Sequence, residues 1–358
     1  MSEEITRQIR VYGIVQGVGF RPTVSRHAVT WGIHGNVCNK GPYVEIYAQG
    51  PEEKVEGFIT EIQNNPPRRA AILKINVEKI ENSRRYTQFD IIESEKTKGE
   101  IFVSPDIAIC EECKEEMFDP KNRRYLHPFI NCTCCGPRLT ILDSLPYDRE
   151  RTSMKEFPMC SDCAKEYNAP ATRRYDAQPV CCNECGPEVY LIGREERGRE
   201  AITYARKTIA EGGIVAIKGI GGFHLCCDAS NETAVRKLRQ LKRRPMKPFA
   251  VMAKNLEAVR KECEVSAEQT RILDGHQKPI LLLDKKKEAK ILCPSVAPGN
   301  PKVGVMLPYA PVQLLIFRYD DGIKMPEFLV MTSGNTSGAP ICRDDREAEA
   351  ELSGFCDC

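Results

Sequence analysis

Cys110-Glu111-Glu112-Cys113 with Cys132-Thr133-Cys134-Cys135, and Cys160-Ser161-Asp162-Cys163 with Cys182-Asn183-Glu184-Cys185, form two sets of cysteines with the same internal spacing. Residues 114 to 131 separate the pairs of the first set and residues 164 to 181 those of the second, gaps of equal length. The match extends further at the same offset, Arg123-Arg124-Tyr125 onto Arg173-Arg174-Tyr175 and Cys135-Gly136-Pro137 onto Cys185-Gly186-Pro187. These are two copies of one module. A C-x-x-C turn offers two thiolates to one tetrahedral ion, and a second such turn closes a four-thiolate zinc site. Cys110, Cys113, Cys132 and Cys135 are the expected ligands of one ion, and Cys160, Cys163, Cys182 and Cys185 those of the other. A closed four-ligand site leaves no position for substrate, so both zinc ions are expected to be structural and to stabilise a stretch with little apolar material.

Disulfides are the competing use of these cysteines. The start, Met1-Ser2-Glu3-Glu4-Ile5-Thr6-Arg7, has no apolar segment, which predicts a cytoplasmic chain in a reducing compartment where disulfides are rare. Cys134 and Cys181 stand beside ligands but fall outside the matched repeat. Cys38, Cys226, Cys227, Cys263, Cys293, Cys342, Cys356 and Cys358 are scattered and read as small buried hydrophobes, none of them a nucleophile.

A chain of 358 residues allows two or three domains. The formal net charge of +2 supplies no concentrated basic surface, so neither nucleic acid nor membrane is expected as a partner. No apolar run approaches the roughly 20 residues of a membrane span. The charged stretches Glu93 to Gly99 and Gly193 to Gly198 read as linkers, dividing the chain into residues 1–93, 94–197 and 198–358.

Before the cysteines, Ile9 to Val15 alternates and is rich in branched residues, predicting a strand. It runs into Gln16-Gly17-Val18-Gly19-Phe20-Arg21-Pro22 and then a helical start at Thr23 to Ala28. A glycine turn between strand and helix offers backbone N–H groups at the positive end of the helix dipole, an anion site. Arg21 adds a bidentate grip on phosphate oxygens. Gly32 to Ile46 reads as strand, turn, strand, with Asn39 where the hairpin begins. Asn39 also suits the left-handed conformation of a turn, and both readings stand. His27, His34 and Trp31 have no partner motif and read as structural.

This region resembles the acylphosphatase family from about residue 7 to residue 93, on the run Val15-Gln16-Gly17-Val18-Gly19-Phe20-Arg21. The resemblance implies a ferredoxin-like fold, with Arg21 binding an acyl phosphate and Asn39 positioning the attacking water. Held phosphate and oriented water together need no nucleophilic side chain.

After the cysteines, Ile202 to Glu211 has helical periodicity and stops at Gly212-Gly213. Ile214 to Lys218 reads as a buried strand opening into Gly219-Ile220-Gly221-Gly222, and alternating strand, turn and helix indicate an α/β domain. A helix from Glu232 to Leu241, capped at Ser230 or Asn231, ends in Lys242-Arg243-Arg244-Pro245-Met246-Lys247-Pro248. Cations there suit the helix dipole as a solvated end, or, fixed by two prolines, a rigid phosphate grip. Phe328 to Met331 is a short apolar strand opening into Thr332-Ser333-Gly334-Asn335-Thr336-Ser337-Gly338, whose hydroxyls, amide and backbone suit a ligand at a sheet edge or a plain polar turn.

Lys242, Arg244, Ser333 and Asn335 resemble the K-x-R and S-x-N pattern of the YrdC-like family. The resemblance implies ATP binding with magnesium and a carbamoyl-type adenylate, Lys242 and Arg244 holding phosphates while Ser333 and Asn335 contact the nucleotide and the carbamoyl end. Lys218 and Lys247 join them by position alone.

An acylphosphatase-like domain, twin four-cysteine modules and a YrdC-like twisted α/β sheet domain, in that order, resemble the HypF family of hydrogenase maturation carbamoyltransferases. The resemblance spans essentially the whole chain and includes Pro128-Phe129-Ile130-Asn131-Cys132 and Lys218-Gly219-Ile220-Gly221-Gly222-Phe223-His224-Leu225. It implies an α+β and α/β multidomain protein that hydrolyses carbamoyl phosphate, forms carbamoyl-adenylate with ATP, and transfers the carbamoyl group to a cysteine of the HypE protein. It also implies a fragment, since the family continues for several hundred residues and this chain stops at Phe355-Cys356-Asp357-Cys358, without a transfer domain. Two rival readings are a threonylcarbamoyl-adenylate synthase of tRNA modification, which leaves the first loop and the cysteines unexplained, and a nucleic-acid-binding zinc protein, whose best support is Arg123-Arg124 with Arg173-Arg174.

Overall fold

The computed structural model describes residues 4–81, 84–94, 104–336 and 338–358. The linker from Glu95 to Gly99 and Ser337 of the polar turn lie outside the described residues. The chain divides into two compact units, residues 1–107 with 130–186 and residues 108–129 with 187–358.

In the first unit the alternation at the start becomes β1 (Glu4–Ile14), followed by α1 (Phe20–Trp31), β2 (His34–Lys40), β3 (Tyr43–Pro51), α2 (Glu52–Asn64), β4 (Ala71–Lys79) and β5 (Phe89–Ile91). The sheet runs β4-β1-β3-β2-β5, antiparallel except where β5 joins β2 in parallel. This is the expected ferredoxin-like topology. Phe20, Val24 and Ala28 of α1 and Val55, Phe58 and Ile62 of α2 are buried with Ile9, Val11, Val44 and Ile46 of the strands in one core. Each of these side chains larger than alanine contributes roughly 1.5–3 kcal/mol by leaving water, which fixes the end of β1 against the start of α1.

Each cysteine module opens on a short helix directly after its first ligand, α3 (Glu111–Phe118) after Cys110 and α4 (Ser161–Asn168) after Cys160. Each helix is then met by the same backbone turn. The N–H of Leu126 bonds the carbonyl of Met117 at 2.8 Å, and that of Asp176 bonds Tyr167 at 2.9 Å. The duplicated sequence is thus a duplicated structure.

The second unit continues with α5 (Gly198–Ala210), β6 (Val215–Gly219), β7 (Gly222–Asp228), α6 (Glu232–Leu241), β8 (Val251–Ala253), α7 (Leu256–Glu262), α8 (Ala267–Leu273), β9 (Leu281–Asp284), β10 (Lys302–Met306), α9 (Pro311–Phe317), β11 (Phe328–Ser333) and α10 (Asp345–Leu352). Its six-stranded mixed sheet has the order β6-β7-β11-β8-β10-β9. Among the described residues of this sheet only β8 and β10 pair in parallel. The glycine turn after Lys218 leads into strand rather than helix: Gly219 pairs with Gly222 across an antiparallel hairpin, so β6 is an edge strand and Lys218 is exposed. Helix α6 has the predicted bounds, and its cap is Asn231, whose side chain accepts from the Ala234 N–H. Among the described residues no helix is long and apolar enough to cross a membrane.

Candidate active site and metal centres

The turn from β1 to α1 needs glycine at two places, since Gly17 and Gly19 have φ of 69° and 76°, in the left-handed region that other residues rarely occupy. Gly19 is the N-cap of α1, and with no side chain there the first turn's N–H groups face outward. Val15, Gln16, Gly17, Gly19, Phe20, Arg21 and Asn39 line one cavity at this turn. Val18 does not; it is 1% exposed and packs into the core. Asn39 is not a turn residue. It lies on β2 opposite Val44, and the left-handed position of the hairpin belongs to Gly41, φ 53°.

Two acceptors at this cavity lack donors. Gln16 Nε2 donates to the Gly41 carbonyl at 2.8 Å, which fixes the amide, while Gln16 Oε1 and Asn39 Oδ1 are buried and accept no hydrogen bond among the described residues. Buried oxygens of this kind call for a donor such as water.

The same cavity is lined by residues from the cysteine-rich stretch: Thr133, Arg138, Tyr147, Asp176 and Gln178. Arg21 is 7% exposed; its Nε lies 3.0 Å from Asp176 Oδ2, and its Nη1 lies 2.9 Å from Asp148 Oδ1 and 3.1 Å from Ser94 Oγ. Burial opposes the guanidinium's charge, but Asp176 and Asp148 more than offset it and hold its pKa above the usual value. Arg138, 2% exposed, ties the loop to the first cysteine set. Its Nε donates to the Gly17 carbonyl, and its Nη1 and Nη2 to the carbonyls of Cys135, Pro137, Cys132 and Thr133 at 2.8 to 3.1 Å.

In the second unit Lys242, Arg244, Ser333 and Asn335 meet where α6 ends beside the end of β11. Lys242 is 5% exposed, so the solvated-end reading fails. Its Nζ donates to the Ser333 carbonyl at 2.7 Å, the Asn335 carbonyl at 2.9 Å and Asn335 Oδ1 at 3.2 Å. Ser333 Oγ donates to Asn335 Oδ1 at 2.7 Å. Arg244 lies over the Phe249 ring and donates to Thr332 Oγ1 at 3.3 Å and to the Lys247 carbonyl at 3.1 Å. Burial, then the neighbouring Arg244, lowers the Lys242 pKa to about 8. Lys218 and Lys247 do not join this group. Lys218 pairs with Asp345 at 2.6 Å on a separate cleft of about 530 Å³, and Lys247 is exposed, its carbonyl accepting from Arg244 Nε.

Each four-cysteine set converges. The four Sγ atoms of Cys110, Cys113, Cys132 and Cys135 lie within 4.8 Å of one another, as do those of Cys160, Cys163, Cys182 and Cys185. A zinc tetrahedron with Zn–S near 2.3 Å has sulfurs about 3.8 Å apart. The Cys132–Cys135, Cys160–Cys182, Cys182–Cys185 and Cys163–Cys185 separations are 3.7, 3.8, 3.8 and 3.6 Å. The donor set therefore fits that ion. Cys134 is exposed and Cys181 buried, and neither belongs to a set.

Family models match in the order the geometry suggests: "Acylphosphatase" over residues 7–91, "HypF finger" over 109–142 and 159–192, and "Telomere recombination", the Sua5, YciO and YrdC model, over 207–358. The carbamoyltransferase HypF of Synechocystis sp. is 45% identical over 356 residues, covering 98% of this chain and 46% of the relative. The probable carbamoyltransferase HypF of Methanocaldococcus jannaschii is 43% identical over 355 residues, 98% of this chain and 45% of the relative. A crystal structure of full-length HypF in its phosphate- and nucleotide-bound form matches with a TM-score of 0.94 at 45% identity, covering 100% of this chain and 46% of that one. The chain belongs to the HypF family. It spans about half the length of the relatives it matches.

In this HypF relative, two of the four arginines that favoured nucleic acid are accounted for otherwise. Arg124 and Arg174 are 1% and 4% exposed, and Arg174 Nε donates to the Asn131 carbonyl at 3.0 Å. They are packed within the modules rather than offered to a phosphate backbone. The residues that reading by motif missed are Asp148, Asp176, Gln178 and Arg138. The signal for Asp176 and Gln178 was present in the repeat, where the twin positions carry Leu126 and Pro128.

Proposed function

We propose that this chain carries the early chemistry of a HypF carbamoyltransferase. Carbamoyl phosphate is hydrolysed at the loop of Arg21 and Asn39, and the carbamate is activated with ATP and magnesium at the group of Lys242, Arg244, Ser333 and Asn335. These 358 residues carry an acylphosphatase activity and an ATP-dependent ligase activity, and the carbamoyl group then passes to a cysteine of the HypE protein. Two zinc ions, held by the two cysteine sets, supply structure and no reaction step. Their thiolate ligands suit a reducing cytoplasm. Residues 1–93, 94–197 and 198–358 are taken as the three functional segments.

The observation that carries this reading is the co-occurrence, in one chain, of an acylphosphatase cavity and a YrdC-type quartet at 45% identity to a HypF crystallised with phosphate and nucleotide. At the first site the α1 N-terminus and Arg21 hold the phosphate oxygens. Asn39 Oδ1 accepts an O–H of water and so orients its lone pair toward the bound group. At the second site, Lys242 and Arg244 take phosphate oxygens by exchanging carbonyl partners. A carbamate oxygen attacks the α-phosphorus of ATP, and pyrophosphate leaves.

The test is to mix the chain with ATP, magnesium and carbamoyl phosphate and follow pyrophosphate, with threonine plus bicarbonate as the parallel mixture. Pyrophosphate from the first mixture and not the second is expected. Release from the second alone would favour a threonylcarbamoyl-adenylate synthase and sink this reading.

A further inference from the structure

Asp176 belongs to the second cysteine module, yet it lines the cavity of the phosphate loop. Its twin in the repeat is Leu126. Both backbones are left-handed there, φ 54° at Leu126 and 55° at Asp176, and both N–H groups close the same turn. The module therefore folds with leucine at this position and does not need a carboxylate. Two neighbours have diverged with it. Tyr167 stands where the first module has Met117, and Gln178 where it has Pro128. Tyr167 Oη donates to Asp176 Oδ1 at 3.2 Å and Gln178 Nε2 donates to the same oxygen at 2.8 Å. The other oxygen, Oδ2, is left for Arg21 Nε at 3.0 Å. Three positions that differ between the copies thus form one polar network that ends on the guanidinium of the phosphate loop.

We propose that the second module supplies a positioning residue to the phosphate site: Asp176 aims Arg21 through Nε and, by its negative charge, keeps the loop from retaining inorganic phosphate. The inference rests on reading this cavity as an acyl-phosphate site. A bidentate grip needs two N–H groups; with Nε on Asp176 and Nη1 on Asp148, the nitrogen of Arg21 without a partner among the described residues is Nη2. The surrounding charges are Asp148, whose second oxygen lies 3.6 Å from Arg151 Nη1, and Arg138, whose side-chain N–H groups all go to carbonyls. Against that background Asp176 is the anion that lines the cavity, and a phosphate dianion entering it meets like charge. Hydrolysis turns an acyl phosphate into free phosphate at the same loop, so weaker retention speeds turnover.

The experiment uses the full 358-residue chain, with carbamoyl phosphate as substrate and inorganic phosphate as inhibitor. Asp176→Asn keeps an oxygen for Arg21 Nε and removes the charge, so the phosphate inhibition constant is expected to fall about tenfold. KM for carbamoyl phosphate should fall with it. Asp176→Leu, the residue of the twin module, removes the oxygen as well and should lower kcat. Asp148→Asn is expected to tighten phosphate in the same direction and serves if the Asp176 variants do not fold. An unchanged or raised inhibition constant in the asparagine variants overturns the proposal while leaving the site reading intact. The site reading itself fails if Arg21→Ala hydrolyses carbamoyl phosphate like the parent chain.

Discussion

The ammonium of Lys242, at the end of α6, donates to the main-chain carbonyl of Ser333, at the end of β11, across 2.7 Å. A charged donor at the end of a helix is thereby tied to the strand end that carries Ser333 and Asn335. Lys242→Met removes three hydrogen bonds made by one cation and leaves buried carbonyls unmatched, a loss of roughly 1.5–3 kcal/mol by the usual value of such bonds. The burial cost that lowers the Lys242 pKa is removed at the same time, so stability by chemical denaturation should drop by less than that amount. ATP affinity by calorimetry should drop at least tenfold, with carbamoyl phosphate hydrolysis at the Arg21 loop unaltered. Unchanged ATP binding would remove Lys242 from the nucleotide site.

The lowered pKa of Lys242 gives a pH dependence with a fixed sign. Burial brings the ammonium's pKa to about 8, so the cation is present below that value and lost as pH rises through it. A bound polyphosphate favours the charged form and raises the pKa in the complex. By linkage, ATP affinity is flat below about pH 7, falls as pH rises past about 8, and levels only above the pKa of the complex. In the Lys242→Met protein this limb should be missing. A parent protein whose affinity is level from pH 7 to 9.5 would contradict the assignment.

That Gln16, Gly17, Arg21 and Asn39 meet at one cavity, and Lys242, Arg244, Ser333 and Asn335 at another place, was legible in the sequence because each group contains a short local pattern with a mechanical reason. Gly17 and Gly19 must turn left-handed before a helix, and Lys242 and Arg244 follow a helix end. The metal sets were legible from spacing alone. What local pattern could not show was long-range pairing. Asp148 lies 127 residues from Arg21, and nothing near either one announces the ion pair between them. The hairpin after Lys218 was also hidden, because Gly219 to Gly222 suits a strand-to-helix turn as well as a strand-to-strand one, and only the pairing of Val215 with Cys226 and its neighbours decides. Position alone puts Lys218 with Lys242 and Arg244, whereas its side chain pairs with Asp345.

The cysteine sets predict a metal count and a selective loss. Metal analysis of the chain should return two zinc ions per molecule. Cys163→Ser removes a buried ligand of the second set and should return one. Because Asp176 and Gln178 belong to that module, carbamoyl phosphate hydrolysis should weaken along with the metal content. With excess zinc added, three thiolates hold an ion far less well than four, and acid should strip it at a higher pH than in the parent, since protons compete for the sulfurs. Two ions retained in Cys163→Ser would mean that the set of four is misassigned.

Asn39 and Arg21 should separate kinetically, because the proposed function gives them different parts of the same reaction. Asn39 is 1% exposed and its Oδ1 has no donor among the described residues, so the proposed function gives it the task of taking an O–H from water rather than holding phosphate. Asn39→Ala should lower kcat for carbamoyl phosphate by about 100-fold, the usual order for losing the alignment of a reacting group, with KM and the phosphate inhibition constant within about twofold of the parent. Arg21→Ala should do the opposite, raising KM and the phosphate inhibition constant by at least tenfold through loss of the charged grip. Steady-state kinetics of the two variants, each with phosphate as inhibitor, checks both. If Asn39→Ala raised KM and spared kcat, its oxygen would be binding the substrate, and the water would have to be held by another group of the cavity, of which Gln16 Oε1 is the other buried acceptor without a donor.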